Sequence, residues 1–180
     1  MQNNLSIRPL NKKHQALLRS WLCDPSVLKF YGGRDKSYTM EMIEDKFYTN
    51  NALISRCIIY CNEIPIGYLQ YYPINSCTSN LMPLVGSSAY GMDQFIGEGN
   101  YRNRGIGTEL IKKVTAFLME AYGASKVVLD PHVENVRAVA CYEKAGFQRV
   151  KKLLHYAFHE GKYHDCWLLM YTTDKKAHRS

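Results

Sequence analysis

An arginine- and glycine-rich segment gives the strongest chemical signal in the sequence. Arg102-x-x-Gly105-x-Gly107-Thr108 lies between a predicted strand and a predicted helix. Glycine lets the backbone approach an anion closely, and the amides of a helix N-terminus point at that anion with the helix dipole behind them. Arg102 and Arg104 add charge-assisted hydrogen bonds. The segment predicts a pyrophosphate cradle, with a glycine-rich turn and solvated arginines as the alternative.

This segment differs from two common nucleotide-binding motifs. A P-loop ends in Gly-Lys-Ser/Thr, which does not occur in the sequence. A dinucleotide fingerprint needs a third glycine at the position where Leu110 stands. The sequence therefore favours an anion site of another kind.

A single acid within an apolar strand is the second signal. Asp93 stands in the predicted strand 89–96, where an ionised carboxylate is costly unless it is paired or faces a site. Strand alternation puts Asp93 and Phe95 on one face and the even-numbered residues on the other. Asp93 is therefore a candidate functional carboxylate, and an edge-strand carboxylate facing water is the alternative.

A third group follows the apolar strand 126–130. Asp130 ends that strand, Asn135 precedes a predicted helix, and Tyr142 lies within the helix. Ligands gather at the carboxyl ends of strands in α/β sheets. Helix capping by Asp130 or Asn135 and core packing by Tyr142 would equally explain these residues, so both interpretations stay open.

Hydrophobic periodicity predicts the elements that position these residues. The expected strands cover about 5–10, 54–61, 66–72, 89–96, 126–130, 147–155 and 163–172, and the expected helices about 12–22, 39–48, 106–122 and 135–145. This order, βααβββαβαββ, predicts an α/β (α+β) fold with a mixed sheet. Residues 73–88 predict a long loop of the kind that often forms a lid. One face of the helix after the cradle should be buried, namely Ile106, Leu110, Ile111, Val114, Phe117, Leu118 and Ala121.

The composition is that of a globular protein, with 46% apolar and 22% charged residues. A chain of 180 residues predicts a single domain over 1–180, with a basic tail at about 174–180. The formal net charge of +7 would suit nucleic acid, a membrane surface or a small anion. Much of the excess lies in Lys151-Lys152 and in the Lys175-Lys176…Arg179 tail, which a solvated tail would explain. No helix-turn-helix, zinc-finger or RNP pattern supports nucleic-acid binding.

The sequence also limits location and metal chemistry. It has no apolar run of membrane-spanning length, and its first residues lack the apolar core of a signal peptide. We therefore expect a cytoplasmic protein whose six cysteines stay reduced. The cysteine spacings fit neither a disulfide framework nor a CxxC knuckle, and His159-Glu160-x-x-x-His164 does not match HExxH. No metal is expected.

Taken together, these segments resemble the GNAT superfamily of N-acetyltransferases. The segment 102–107 is similar to its acetyl-CoA pyrophosphate motif, and Asn135…Ala138…Tyr142-Glu143-Lys144-Ala145-Gly146-Phe147 is similar to its second motif. The longer string Tyr90-Gly91-Met92-Asp93-Gln94-Phe95-Ile96-Gly97-Glu98 resembles aminoglycoside 6'-N-acetyltransferases. The resemblance implies a mostly antiparallel sheet flanked by helices, and it covers essentially the whole chain.

The resemblance implies direct attack by the 6'-amine of an aminoglycoside on the acetyl-CoA thioester in a ternary complex. Asp93 would accept the amine's proton, directly or through water, and Tyr142 would protonate the leaving thiolate or hydrogen-bond its sulfur. A backbone N–H near Phe95 would stabilise the thioester oxygen. The expected cofactor contacts are Phe95, Ile96, Arg102, Arg104, Gly105, Ile106, Gly107, Thr108 and Asn135. The expected drug contacts are Tyr31, Tyr90, Asp93, Asp130 and Asp165.

The expected partners are kanamycin-class drugs, without nucleic acid, membrane or metal, and the sequence leaves the oligomeric state open. A polycationic drug needs a local acidic patch although the protein is basic, and Asp93, Asp130 and Asp165 would supply it. Packing explains Tyr31 and Tyr90 as well as drug contact does. The competing functions are a GNAT enzyme for a protein or polyamine amine, a basic nucleic-acid-binding module and a CoA-binding regulatory domain.

Overall fold

A computed structural model describes residues 4–49, 51–75, 79–86 and 88–173 of the chain. Its strands are β1 (Leu5–Pro9), β2 (Ser55–Cys61), β3 (Ile64–Pro73), β4 (Ala89–Ile96), β5 (Lys126–Leu129), β6 (Gln148–His159) and β7 (Lys162–Thr172). They pair in the order β1-β2-β3-β4-β5-β7-β6. The β1–β2, β2–β3 and β5–β7 pairs are antiparallel, and β4–β5 is parallel. The predicted mixed, mostly antiparallel sheet is confirmed.

The helices are α1 (Gln15–Trp21), α2 (Pro25–Leu28), α3 (Met40–Ile43), α4 (Met82–Val85), α5 (Ile106–Tyr122) and α6 (Val136–Lys144). None of the helices in the described ranges is long and apolar enough to cross a membrane. The basic tail at 174–180 and Cys77 lie outside those ranges. The other five cysteines carry free thiols.

Two predicted helices are more broken than their periodicity indicates. The segment 12–22 begins with a 3₁₀ turn, Lys12–His14, before α1. The segment 39–48 is α3 followed by a π-helical stretch, Glu44–Tyr48, and the Thr39 side chain caps α3 by accepting a hydrogen bond from the Met42 amide.

The helix α2 is absent from the sequence prediction. The helix α1 ends at Trp21, and the Asp24 side chain then accepts a hydrogen bond from the Ser26 amide and starts a new helix. Pro25 is then the first helical residue, a position that tolerates proline because its missing N–H would have no partner there.

Two further expectations need correction. The long loop 73–88 contains α4, with Leu81 and Val85 buried around it, and residues 76–78 and 87 lie outside the described part. On α5, Phe117 and Ala121 are exposed instead of buried. Periodicity gives the apolar face of a helix but not how far along the helix that face is covered.

The chain forms two compact units, each with its own core. The first comprises 1–71, 93–107 and 158–163, and the second comprises 72–92, 108–157 and 164–180. One cluster of buried residues in the first unit is Leu18, Trp21, Leu22, Val27, Leu28, Tyr38, Ile43, Phe47, Ile58, Tyr60, Tyr68 and Phe95. One cluster in the second unit is Ile74, Leu81, Val85, Ala89, Val128, Leu153, Cys166 and Leu168. The single acetyltransferase domain over 1–180 stays a prediction.

Candidate functional site

Asp93 is held by a hydrogen-bonded chain within the first unit. Its Oδ2 accepts a hydrogen bond from Gln70 Nε2 at 2.7 Å, and Gln70 Oε1 accepts one from the Tyr68 hydroxyl at 2.8 Å. Tyr68 is fully buried, and burial raises the pKa of its hydroxyl, which therefore stays protonated and donates. The costly carboxylate in β4 is thus paired, as an acid in an apolar strand must be.

Gln70 is a candidate that the sequence analysis missed. It lies two residues after Tyr68 on β3, so both side chains point to the same face. The sequence does show a polar residue, Gln70, in a predominantly apolar strand, and this pattern could have marked it as a candidate. Its connection to Asp93 depends on the β3–β4 pairing, which one sequence does not give.

Phe95 contributes its side chain to the core. It is 9% exposed, and its ring stacks on Tyr68 with centroids 5.7 Å apart. Tyr31, which is half-buried, meets the Phe95 ring edge-on at 4.8 Å. Tyr31 therefore packs on the aromatic cluster behind Asp93 and remains partly open to a ligand, while only the backbone of Phe95 is suited to a reacting group.

The segment that carries Tyr31 is held by the turn between β6 and β7. Arg34 donates to the Glu160 carboxylate from Nε at 2.6 Å and from Nη2 at 2.7 Å, and its backbone amide adds a third bond at 2.8 Å. These bonds lower the pKa of Glu160 to about 2. His159 Nε2 donates to the Lys29 carbonyl at 2.9 Å. Hydrogen bonds therefore hold the chain on both sides of Tyr31, at Lys29 and at Arg34.

The two arginines of the predicted cradle have different surroundings. Arg102 donates from Nε to the Ile96 carbonyl and from Nη2 to the Gly97 carbonyl, both at 2.9 Å, and from Nη1 to Ser26 Oγ at 2.6 Å. Its side chain is only 14% exposed. Arg104 is exposed. The structure therefore gives Arg102 a bracing position at the end of β4, and leaves Arg104 as the arginine at the surface of the loop.

The loop backbone before α5 has room for an anion. Asn103 and Gly105 have φ of +60° and +78°, and a Cβ placed on Gly105 would meet nothing within 4 Å. Ile106 is buried and anchors the start of α5, while Gly107 and Thr108 are half-buried in its first turn. Open space beside the first amides of a long helix fits a phosphate group.

In the second unit, the α6 motif supplies one cap and one buried tyrosine. Asn135 Oδ1 accepts from the Ala138 amide at 3.2 Å, so its side chain caps α6. Tyr142 is 9% exposed and its ring lies 6.5 Å from that of Phe147. Thr108 Oγ1 lies 3.4 Å from Cys141 Sγ, which joins α5 to α6. Burial raises the pKa of the Cys141 thiol.

Asp130 and Asp165 belong to two adjacent segments of the second unit, in which the Val133 amide donates to the Asp165 carbonyl and the Trp167 amide donates to the Pro131 carbonyl, both at 2.9 Å. The pKa of Cys166 is raised to about 12 by burial and by both carboxylates. Asp165 pairs with Lys152 Nζ at 2.8 Å and accepts from the His155 amide at 2.9 Å, which hold its pKa below the usual range. Burial and the Asp130 carboxylate raise the pKa of the Tyr156 hydroxyl. The structure thus places these two predicted drug-binding acids in adjacent segments of the chain.

Tyr90 has the surroundings of a packing residue. Its ring lies 5.4 Å from that of Tyr122, at the C-terminal end of α5. It is also an even-numbered residue of β4 and so lies on the face opposite Asp93. Within the described ranges, no group of three or more His, Cys, Asp or Glu is placed to hold a metal ion.

The family model for the "Acetyltransferase (GNAT) domain" matches residues 11–154, most of the chain. The chain belongs to the GNAT acetyltransferase family. It is therefore an acetyl-CoA-dependent N-acetyltransferase, and the resemblance inferred from the cradle and the α6 motif is confirmed.

The chain is similar to several N-acetyltransferases. Aminoglycoside N(6')-acetyltransferase type 1 of Klebsiella pneumoniae is 26% identical over 151 residues, 82% of this chain and 75% of that protein. Aminoglycoside acetyltransferase AAC(6')-Ib in complex with coenzyme A superposes with a TM-score of 0.76 at 21% identity, over 94% of this chain and 95% of the other. Spermidine N-acetyltransferase of Vibrio cholerae superposes with a TM-score of 0.77 at 18% identity, over 95% of this chain and 96% of the other. The two structures share the fold with this GNAT acetyltransferase.

The loop before α5 passes a simple test for acetyl-CoA. The cofactor carries phosphates, and the loop offers open space at Gly105, the first amides of α5 and the exposed Arg104. A larger residue at Gly105 would occupy that space. The residues present therefore fit the anionic part of the cofactor.

Proposed function

We propose that this acetyltransferase transfers the acetyl group of acetyl-CoA to the 6'-amine of aminoglycoside antibiotics. The observation that carries the chemistry is the Asp93 carboxylate, held by Gln70 at 2.7 Å on the face of β4 that also carries Phe95. The substrate class is supported by the relative that matches 82% of the chain.

Asp93 acts on the substrate amine. The amine arrives mainly as an ammonium, which has no lone pair for attack, so a base must remove its proton. Gln70 fixes one carboxylate oxygen of Asp93, and the carboxylate in this orientation both attracts the ammonium and accepts its proton. Bound acetyl-CoA supplies the acyl group in the activated form of a thioester.

The remaining roles belong to backbone groups and one tyrosine. The Phe95 N–H is the donor that we assign to the thioester oxygen as it gains charge. Arg104 and the loop amides at Gly105–Gly107 hold phosphate, and Arg102 keeps that loop in place through the Ile96 and Gly97 carbonyls. Tyr142 donates to the departing sulfur.

Tyr142→Phe should lower kcat by about tenfold at neutral pH. A thiol has a pKa of about 8.5, so a thiolate needs modest help to leave, and the effect lies at the low end for a general acid. The KM for acetyl-CoA should change little. Tyr171→Phe is the control, because the Tyr171 ring also packs on Phe147, at 5.6 Å. Equal rates for Tyr142→Phe and the wild type would remove Tyr142 from the mechanism.

Asp130→Asn and Asp165→Asn form a matched pair in the second unit. The charge of Asp165 is compensated by Lys152, so its loss should mainly lower the melting temperature. Asp130→Asn should raise the KM for kanamycin and weaken the dependence of that KM on ionic strength. The Asp130 carboxylate attracts the polycationic drug over a long distance, and dissolved salt screens this attraction. Steady-state kinetics at two salt concentrations and thermal unfolding separate the two effects. A kanamycin KM unchanged in both variants would refute the acidic contribution of this region.

Thiol release from acetyl-CoA tests the proposed function. We expect turnover with kanamycin-class drugs, and none with a matched analogue whose 6'-amine is replaced by a hydroxyl. Spermidine and a peptide with a free N-terminus are tested as alternative substrates in the same assay. Faster turnover of either would replace the aminoglycoside by a polyamine or a protein amine as substrate.

A further inference from the structure

We infer that Gln70 is a positioning residue, which fixes the Asp93 carboxylate in the orientation that accepts the substrate's proton. The inference rests on the role of Asp93 in the proposed function, and it adds a second residue to the acid–base step. Gln70 acts through Asp93 and has no assigned contact with the substrate.

The hydrogen bonds around Gln70 have one allowed direction. A carboxylate only accepts, so the Gln70 amide must turn its Nε2 towards Asp93. Its Oε1 then faces the Tyr68 hydroxyl, which must donate. The flipped amide would set Oε1 against the carboxylate, where two acceptors repel. Tyr68 therefore locks the amide that orients Asp93.

Arg56 lies one strand further away. It is on β2, as the register partner of Gln70 on β3, and its positive charge acts on the Tyr68 hydroxyl and opposes part of the rise in the pKa of that group. The Tyr68 hydroxyl donates to Gln70, and Gln70 donates to Asp93. Two hydrogen bonds in series thus connect the buried hydroxyl to the carboxylate. Hydrogen bonds in such a series polarise and strengthen one another.

The surroundings make Tyr68 a rigid support. It is 0% exposed, stacks on Phe95 at 5.7 Å, and meets Phe47 edge-on at 5.2 Å. A buried aromatic ring held on two sides cannot change rotamer without disturbing the core. The packing of the first unit therefore fixes Tyr68, and through Gln70 it acts on the position of the Asp93 carboxylate.

Gln70→Glu gives the sharpest test. It keeps the length of the side chain but sets a second carboxylate beside Asp93, and two neighbouring acids share a proton, so one of them titrates at higher pH. The acid limb of kcat/KM for kanamycin should move up by about one pH unit or more, with the acetyl-CoA KM unchanged. Titration of the two neighbouring carboxyl carbons by NMR should show the same raised step without any substrate.

Tyr68→Phe is the second variant and Tyr60→Phe is its control. Gln70→Leu removes the hydrogen bond to Asp93 and should lower kcat for kanamycin. Tyr68→Phe removes only the lock on the amide and should lower kcat by a smaller factor, with the KM for acetyl-CoA unchanged in both variants. Tyr60 is another buried tyrosine of the first unit, and its hydroxyl bonds His14 at 2.9 Å. Tyr60→Phe should lower the melting temperature without changing kcat or the acid limb.

The results separate this inference from the proposed function. If Asp93→Asn keeps the wild-type kcat, the base assignment fails and the role of Gln70 fails with it. If Asp93→Asn is inactive while the Gln70 and Tyr68 variants lose only stability, with the acid limb and the NMR titration unmoved, Gln70 is a structural residue and only this inference is overturned.

Discussion

Asp93→Asn should reduce kcat for kanamycin by about a hundredfold to ten-thousandfold at neutral pH. Loss of a general base typically costs that much. Asparagine keeps the shape and can still accept the Gln70 hydrogen bond through its carbonyl oxygen, so the fold should be retained. It removes both the charge that attracts the ammonium and the basicity that takes its proton. Steady-state kinetics with a saturating acetyl-CoA concentration measure the effect.

Glu120→Gln is the control for this variant. Glu120 is an exposed carboxylate in the last turn of α5. Its replacement by glutamine removes one negative charge without changing Asp93. We expect wild-type kinetics from it. An Asp93→Asn enzyme with normal kcat and a raised drug KM would show that Asp93 binds the drug but does not take its proton.

Gly105→Ala should raise the KM for acetyl-CoA by about tenfold to a hundredfold. Gly105 has a φ of +78°, where a residue with a Cβ is strained by roughly 1–2 kcal/mol. The added methyl group also enters the open space beside the first turn of α5. Loss of one charge-assisted hydrogen bond to a phosphate costs about 1.5–3 kcal/mol, which gives the expected range. Kinetics and direct titration with coenzyme A measure it.

Gly123→Ala is a matched control at the other end of the same helix. Gly123 has a φ of +65°, and a Cβ there would also meet nothing within 4 Å. Both substitutions should therefore cost a similar free energy of unfolding. Only Gly105→Ala should weaken coenzyme A binding. Equal affinities of the two variants for coenzyme A would show that the phosphate site is not at this loop.

Local sequence signals predicted much of the molecule. The strand β4 has the predicted bounds, and α5 begins at Ile106, directly after Gly105 and within the glycine-rich segment. These elements are set by alternation, helix periodicity and glycine, which act over a few residues. The same signals placed Asp93 and Phe95 on one face, and the Gln70 and Tyr68 contacts fall on that face.

Contacts between distant segments account for what was missed. Arg102 and Arg104 look equivalent in the sequence, and only the Ile96 and Gly97 carbonyls distinguish the bracing arginine from the exposed one. Gln70 lies 23 positions before Asp93, so their bond needs the pairing of β3 with β4. Periodicity in one chain carries no such pairing.

The position of the new acetyl group tests the central claim most directly. Kanamycin has several amines, so the purified product of a reaction with acetyl-CoA can be mapped by two-dimensional NMR and mass spectrometry. The proposed function predicts a single acetyl group on the 6'-nitrogen, and its loss in Asp93→Asn. An acetyl group on another amine, or no kanamycin product from an enzyme that rapidly acetylates spermidine or a peptide, would contradict it.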